Sequence, residues 1–174
     1  FQNAGQTCIS VERVFVVEEV YEAFLRELLA RVREMKAGSV AGAEVGPMTT
    51  PGQLALVEEH LADALARGAK VEAGGGRTDP ASNVLHPTVL SGVDPDARVL
   101  REETFGPLLP IGAVKNAEEA VRRANELAFG LSASVWTRDR KRGMEMAGRL
   151  KAGGVCINDV LVHYAVPALP FGGV

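Results

Sequence analysis

The stretch "LLPIGAVKNAEEAVRRANELAFGLSASVWT" (108–137) determines the fold class, because a helix pattern stands between two strand patterns. Its two ends, 108–114 and 131–137, are short β-branched runs typical of strands. The middle, 116–130, has apolar residues at helical spacing, with Asn116 as the predicted cap and Gly130 as the predicted end. A strand, a helix and a strand in succession predict an α/β fold.

The same alternation continues along the rest of the chain. Further strands are predicted over 13–17, 69–74, 86–93 and 153–159. Further helices are predicted over 18–38, ending on Gly38, from Pro51 to a stop at Gly68, and over roughly 139–150. Several strands are apolar on both faces, which is typical of a mostly parallel sheet covered by helices. We therefore expect an α/β fold with a mostly parallel sheet, helices on both faces, and one domain over 1–174.

Composition excludes several classes of function. The chain has 174 residues, 47% hydrophobic and 24% charged, and its 19 Lys+Arg against 22 Asp+Glu give a net charge of -3. This charge does not favour nucleic acid as a partner. No apolar run approaches the roughly 20 residues that span a bilayer, and no signal-peptide pattern opens the chain, so we expect a cytoplasmic protein without a membrane partner. The two cysteines lack metal-ligand spacing and predict free thiols and no metal site.

Cys8 in "FQNAGQTC" (1–8) is the candidate nucleophile. A thiol reacts as its thiolate, and unpaired backbone amides at the start of a helix stabilise that anion. Asn3, Gly5 and Thr7 favour turns and caps, so we expect a short helical turn near Cys8, whose amides could also serve as oxyanion donors. The alternative is a small buried thiol, which fits Cys156 in its apolar strand better.

Two motifs together resemble a known family. "FQNAGQTC" (1–8) resembles the cysteine signature of the aldehyde dehydrogenase superfamily, and "EETFGP" (102–107) resembles its second signature at about the expected distance downstream. Other segments resemble the family in chain order: 68–75, 86–90, 124–139, 153–159 and 170–174. The resemblance covers essentially the whole chain and implies the catalytic domain of this family.

The resemblance also implies a reaction and the residues that perform it. It implies NAD(P)-dependent oxidation of an aldehyde to a carboxylic acid, through a thiohemiacetal and then a thioester on Cys8. Glu103 would bind the ribose of NAD or NADP, and Phe105 would pack beside the nicotinamide ring. Phe171 and His163 would line the substrate tunnel.

Three of these residues also have a purely structural alternative. Glu103 could be a solvated loop carboxylate, while Phe105 and Phe171 could be core residues. Asn158 is similar to a family residue near the active site, but we expect it to hydrogen-bond a loop. Phe129 stands where the family often has Tyr, and we expect the fold and chemistry to survive that change.

The substrate segment is 158–173, by its position in the resemblance. This segment is mostly apolar and contains no Arg or Lys, which favours an apolar aliphatic or aromatic aldehyde over a semialdehyde. Its "NDV" followed by His resembles the branch of the family that acts on such aldehydes.

The resemblance further implies parts that we do not find in this sequence. These are a nucleotide-binding domain, a general-base Glu, an Asn of the oxyanion hole and a final strand used in oligomer formation. On this interpretation the chain is a catalytic domain fragment that does not turn over alone, from a protein expected to be a homo-oligomer.

Three other functions stay open. The first is a CoA-acylating aldehyde dehydrogenase, which shares the cysteine motif, and the second is a noncatalytic truncated module. The third is a Cys/His hydrolase. Since His60 is predicted on an exposed helix and His86 opens a strand, only His163 could approach Cys8 in such a hydrolase.

Overall fold

The computed structural model describes residues 1–174. The chain forms two compact units, Phe1–Ala113 and Val114–Val174. After a 3-10 turn at Gln2–Gly5, the elements are β1 Val14–Val17, α1 Glu18–Glu34, α2 Pro51–Ala66, β2 Lys70–Ala73, β3 Thr88–Ser91, α3 Arg98–Arg101, β4 Leu108–Val114, α4 Ala117–Ala124, β5 Ser132–Val135, α5 Arg140–Ala147 and β6 Gly154–Ile157. All six predicted strands and the α/β class are confirmed.

The first unit is built on a four-stranded sheet in the order β1-β4-β3-β2. Strands β3 and β4 are parallel, with Thr88 opposite Leu108. Strand β2 pairs antiparallel with β3, with Lys70 opposite Ser91. All four residues of β3 are buried, as expected for an interior strand with apolar side chains on both faces.

Helices cover both faces of this sheet. Successive strand residues point to opposite faces, so Val89 and Leu90 of β3 lie on different sides. Val89 packs with residues of β1, α1 and β4: Val16, Leu29, Val32 and Ile111. Leu90 packs with residues of α2: Leu54, Val57, Leu61 and Ala64. The prediction of helices on both faces is therefore confirmed for this unit.

The second unit contains a two-stranded parallel sheet. Strand β5 pairs with β6, with Ser132 opposite Gly154 and Val135 opposite Ile157. The two strands that flank α4, β4 and β5, thus belong to different sheets, although they follow each other in the sequence pattern. The assignment of 1–174 to one catalytic domain stays a prediction.

Two predicted helix ends are wrong. Helix α1 ends at Glu34 rather than Gly38, because Met35 turns extended and Ala37 forms a bridge with Val45. Helix α4 ends at Ala124 rather than at 130. The side chain of the next residue, Asn125, donates to the carbonyl of Arg149 at 2.8 Å and accepts from the amide of Lys151 at 2.9 Å. Tertiary hydrogen bonds therefore end this helix before its sequence pattern does.

The other helix boundaries follow local chemistry. Thr50 caps α2, Asn116 caps α4 and Asp139 caps α5, each by accepting a backbone N–H in the first turn. Gly68 follows α2 with φ of 92°, as a helix-terminating glycine does. Helix α5 ends at Ala147, shortly before the predicted end. The four-residue helix α3 is too short to show a helical period in the sequence.

Candidate active site

The segment before Cys8 forms a left-handed turn. Asn3, Ala4 and Gly5 have φ of 52°, 55° and 73°. The amide of Gln6 donates to the carbonyl of Asn3 at 3.1 Å, and Asn3 Nδ2 donates back to the carbonyl of Gln6 at 3.1 Å. Each residue other than Gly in this conformation costs about 1–2 kcal/mol, so the backbone beside the candidate nucleophile is strained.

Gln6 attaches this turn to the loop before α2. Its Oε1 accepts the amide of Thr49 at 2.8 Å, and its Nε2 donates to the carbonyl of Asn3 at 3.1 Å. Sequence reasoning gave Gln6 no role, although its place within the cysteine signature, 1–8, was an available signal. Gln6 therefore helps to hold the strained turn in place.

Cys8 lies in the turn that follows. The amide of Ser10 donates to the carbonyl of Thr7 at 2.9 Å, and the chain then extends into β1. No helix begins at Cys8, so the expected helical turn is wrong. The thiol is free and exposed, whereas the other free cysteine, Cys156, has 3% of its surface exposed. Cys8 is therefore open to reagents in solution, and Cys156 fits the description of a buried thiol.

The cysteine segment contacts the second signature through main-chain atoms. Gly5 has φ of 73°, and a Cβ added there would overlap the carbonyl oxygen of Gly106. A Cβ added at Gly106 would in turn overlap the side chain of Val57 on α2. Only glycine fits at both positions, so the two signature segments pack directly against each other in the first unit.

Glu103 and Phe105 flank a buried residue in the second signature. Thr104 between them has 0% of its surface exposed. Glu103 is exposed and its carboxylate takes part in no hydrogen bond or ion pair. Phe105 is half-buried, with φ of 47°. The neighbouring Glu102 is engaged instead, accepting from Arg98 at 2.9 and 3.0 Å, so Glu103 is the carboxylate left available to a ligand.

Two side chains bind the main chain of this motif. The carboxylate of Glu12 accepts the amides of Thr104 and Phe105, each at 3.2 Å. Gln53 Nε2 donates to the carbonyls of the same residues at 2.7 and 3.2 Å. Burial raises the pKa of Glu12, although the two backbone N–H groups act in the opposite direction. Sequence reasoning assigned no role to Glu12 or Gln53.

His60 is buried, so its predicted position on an exposed helix face is wrong. It has 0% of its surface exposed, with Nδ1 3.1 Å from Thr104 Oγ1 and Nε2 3.3 Å from Glu102 Oε2. Burial lowers the pKa of His60 and the Arg98 charge lowers it further, against the opposing effect of Glu102. His60 lies three residues after Val57 on α2, and residues three apart share one face of a helix. This spacing could have predicted from the sequence that His60 is buried.

The candidate substrate residues lie in the second unit. Nδ1 of the half-buried His163 lies 3.1 Å from Sγ of Cys156, so the histidine of the hydrolase hypothesis is in contact with the buried thiol. Phe171 is 55% exposed and makes an edge contact with Tyr164, their ring centroids 5.8 Å apart. Phe171 therefore does not pack in the core.

Asn158 performs the loop role expected of it. With φ of 56°, it accepts the amide of Thr137 at 2.9 Å and donates to the carbonyl of Thr137 at 2.9 Å. Asp159 then accepts the amides of Leu161 and Val162, each at 2.7 Å. These bonds fix the start of the segment that carries His163.

Neither a metal site nor a membrane-spanning helix is found. No group of three or more His, Cys, Asp or Glu side chains is arranged to hold a metal ion. None of the helices has the length and apolar character required to cross a membrane.

The fold and site define an α/β protein with an exposed thiol on a segment that packs against a motif held by its main chain. Residues 1–174 match the aldehyde dehydrogenase family, and the chain belongs to that family. It is 41% identical over its whole length to 4,4'-diapolycopene aldehyde oxidase from Methylomonas sp, of which it covers 32%.

Solved structures show the same relationship. The chain superposes on succinate-semialdehyde dehydrogenase from Burkholderia pseudomallei with a TM-score of 0.93 and 44% identity, covering 99% of this chain and 36% of that one. It superposes on betaine aldehyde dehydrogenase from Staphylococcus aureus in complex with NAD+ with a TM-score of 0.88 and 30% identity, covering 99% and 35%. The chain thus spans about a third of the length of these relatives.

Proposed function

We propose that this chain supplies the nucleophile for oxidation of an aldehyde to a carboxylic acid, with NAD or NADP as the oxidant. The observation that carries the proposal is the contact of the strained cysteine segment with the second signature, made where Gly5 meets Gly106. This contact joins the exposed thiol of Cys8 to the segment that bears Glu103 and Phe105. Membership of the aldehyde dehydrogenase family supports the same reaction.

Cys8 carries the covalent chemistry in this proposal. Its thiolate attacks the carbonyl carbon, so that a C–S bond forms and the carbonyl oxygen becomes the oxyanion of a thiohemiacetal. The oxidised nicotinamide, when bound, supplies the hydride acceptor that converts this adduct to a thioester. Water then attacks the acyl carbon, the C–S bond breaks, and the carboxylic acid leaves with the Cys8 thiol restored.

Glu103 and Phe105 fit the binding of a dinucleotide. The Glu103 carboxylate is exposed and unpaired, so it can accept hydrogen bonds from ribose hydroxyl groups. Phe105 offers a partly exposed aromatic ring one residue beyond a buried threonine. The exposed carboxylate and the ring would together position the nicotinamide end of NAD or NADP.

The proposed substrate is an apolar aliphatic or aromatic aldehyde. The segment 158–173 contains no Lys or Arg, and it exposes several large apolar side chains: Leu161, Val162, Tyr164, Leu169 and Phe171. These groups suit an apolar chain or ring better than a carboxylate. A semialdehyde is the second candidate, favoured by the likeness to the Burkholderia succinate-semialdehyde dehydrogenase.

Acylation by nitrophenyl esters tests the nucleophile and the substrate class together. Attack of the thiolate on the ester carbonyl forms the acyl thioester, and the C–O bond to the leaving group breaks to release nitrophenolate, with no need for a cofactor. We expect peptide mass spectrometry to find the acyl group on Cys8 and not on Cys156. Cys8→Ser should abolish the adduct and Cys156→Ser should keep it. Hexanoyl and benzoyl esters should react faster than a succinyl ester of the same leaving group.

Other results would replace the proposal. Equal acylation of the two cysteines, or an inert Cys8, would disprove the assignment of Cys8 as the nucleophile. Either result would favour a noncatalytic module. A faster reaction with the succinyl ester would favour the semialdehyde. If the acyl group passes from Cys8 to coenzyme A faster than to water, the CoA-acylating alternative replaces oxidation to the free acid.

A further inference from the structure

We infer that Glu12 and Gln53 are positioning residues, which hold the main chain between Glu103 and Phe105 so that these two side chains face a ligand. Glu12 and Gln53 form a main-chain clamp. That the ligand is NAD or NADP rests on the proposed function, whereas the clamp itself rests on contacts within the first unit.

The clamp binds both sides of the same residues. The two carboxylate oxygens of Glu12 accept the amides of Thr104 and Phe105 at 3.2 Å, one oxygen for each amide. Gln53 Nε2 donates to the carbonyls of both residues at 2.7 and 3.2 Å. Glu12 lies just before β1 and Gln53 lies in the first turn of α2, so two separate elements fix this short stretch of main chain.

His60 completes the arrangement at Thr104. Its Nδ1 lies 3.1 Å from Thr104 Oγ1, so the amide, carbonyl and hydroxyl of this fully buried residue all have partners. Buried polar groups in such a network are costly to leave unpaired, and the network therefore holds a single geometry. Phe105 next to it keeps φ of 47°, a conformation that persists where the surroundings impose it.

The arrangement separates the fixed main chain from the available side chains. Every polar main-chain group of Thr104 and Phe105 is engaged, while Glu103 is exposed with an unpaired carboxylate. Glu12 also stands four residues after Cys8. One side chain therefore connects the nucleophile segment to the motif that carries the candidate cofactor residues.

The chemistry of the clamp requires a carboxylate at position 12. A carboxylate offers two acceptor oxygens to two N–H groups, whereas an amide offers one acceptor and one donor. In Glu12→Gln the new NH₂ group would face the N–H of Thr104 or Phe105, with little change in side-chain size. This variant therefore removes one bond of the clamp without creating a cavity.

Amide hydrogen exchange of this chain, followed residue by residue by NMR, tests the inference. In Glu12→Gln we expect the amides of Thr104 and Phe105 to exchange at least about tenfold faster. The Cα chemical shift of Phe105 should also lose its positive-φ signature. The core amides of Val89 and Leu90 should keep their wild-type rates. The control Glu22→Gln changes an exposed carboxylate on α1 and should alter none of these values.

A second variant acts on the carbonyl side. Gln53→Leu removes the donor but leaves Glu12 intact, and should give the same loss of the Phe105 signature even where Glu12→Gln folds poorly. The inference would be overturned if Phe105 kept its wild-type rate of amide hydrogen exchange and its wild-type Cα chemical shift in both variants. Equal acceleration at Val89 and Leu90 would overturn it too, because the effect would then be on global stability. These results are independent of ester acylation at Cys8, on which the proposed function depends.

Discussion

The motif at 102–107 and the segment 158–173 hold candidate site residues by different means. In the first, the half-buried side chains of Glu12 and Gln53 bind the main chain around Thr104, which is fully buried and completely hydrogen-bonded. In the second, most residues are exposed, and side-chain contacts such as that between His163 and Cys156 attach the segment to β6. The main chain of Phe105, and of Thr104 next to Glu103, is thus fixed by hydrogen bonds, while the proposed substrate residues lie on an exposed apolar surface that can change at small cost.

The largest effect is expected from Gly5→Ala, which forces apart the two signature segments. The new Cβ would overlap the Gly106 carbonyl, and alanine would also occupy a left-handed position with φ of 73°. We expect the free energy of unfolding to fall by about 2–4 kcal/mol. Urea unfolding followed by circular dichroism measures this loss.

The matched control is Gly42→Ala. Gly42 also has positive φ, at 86°, but nothing lies within 4 Å of the added Cβ. We expect this variant to lose only about 1 kcal/mol, from backbone conformation alone. Equal losses in the two variants would mean that the contact with Gly106 contributes nothing, and the tight packing of the first region would be disproved.

The next effect is a pH dependence of stability that arises from His60. Burial lowers its pKa below the ordinary value of about 6.5. Above that value His60 is neutral in both states, but as the pH falls the unfolded chain takes up a proton that the folded chain resists. Stability is therefore lost as the pH falls below about 6.5, by at most about 1.4 kcal/mol per pH unit for this one group.

His60→Gln tests this dependence, because glutamine is polar but does not titrate. When the pH falls from about 7 to about 5.5, the free energy of unfolding should decrease less in the variant than in the wild type. His86→Gln changes an exposed histidine before β3 and should leave the wild-type slope unchanged. If the free energy of unfolding of His60→Gln depends on pH as steeply as that of the wild type, the buried network does not resist protonation of His60.

Much of the fold could be predicted from the sequence, since local patterns specify it. Short β-branched runs predicted all six strands, and Asn116 and Gly68 were correctly predicted to lie at the ends of helices. What failed depends on distant partners. The end of α4 is fixed by bonds from Asn125 to residues more than 20 positions away, which no local pattern contains.

The candidate site was predicted by resemblance more than by physical pattern. Cys8 and Glu103 were found through their signatures, and the structure shows both to be exposed. The helical turn expected at Cys8 was wrong, because the segment uses consecutive left-handed residues that propensities do not predict. Glu12 escaped notice because its partners, Thr104 and Phe105, lie about 90 residues further along the chain.

A smaller effect is expected from Gly154→Ala in the second region. The new Cβ would overlap the ring of His163, a side chain that can move away. We expect a loss of about 1 kcal/mol or less, and alkylation of Cys156 by iodoacetamide at least about tenfold faster, because His163 no longer covers the thiol.

Peptide mass spectrometry measures this alkylation, and Gly148→Ala is its control. A Cβ at Gly148 makes no contact shorter than 3.6 Å, so Cys156 should stay protected in that variant. If Cys156 also stays protected in Gly154→Ala, the attachment of the second region does not depend on the position of His163. The two regions would then differ less than their contacts indicate.

The smallest effect on stability is expected from Phe171→Ala. Phe171 is 55% exposed and its ring contact is the edge contact with Tyr164, so the loss should stay within about 0.5 kcal/mol. On the proposed function, in which the segment 158–173 binds the acyl chain, the preference of Cys8 for hexanoyl over acetyl esters should nevertheless fall. Phe129→Ala removes a ring of similar exposure, 54%, and should leave the preference unchanged. An equal fall in both variants would mean that exposed apolar surface in general, rather than the segment 158–173, selects the acyl chain.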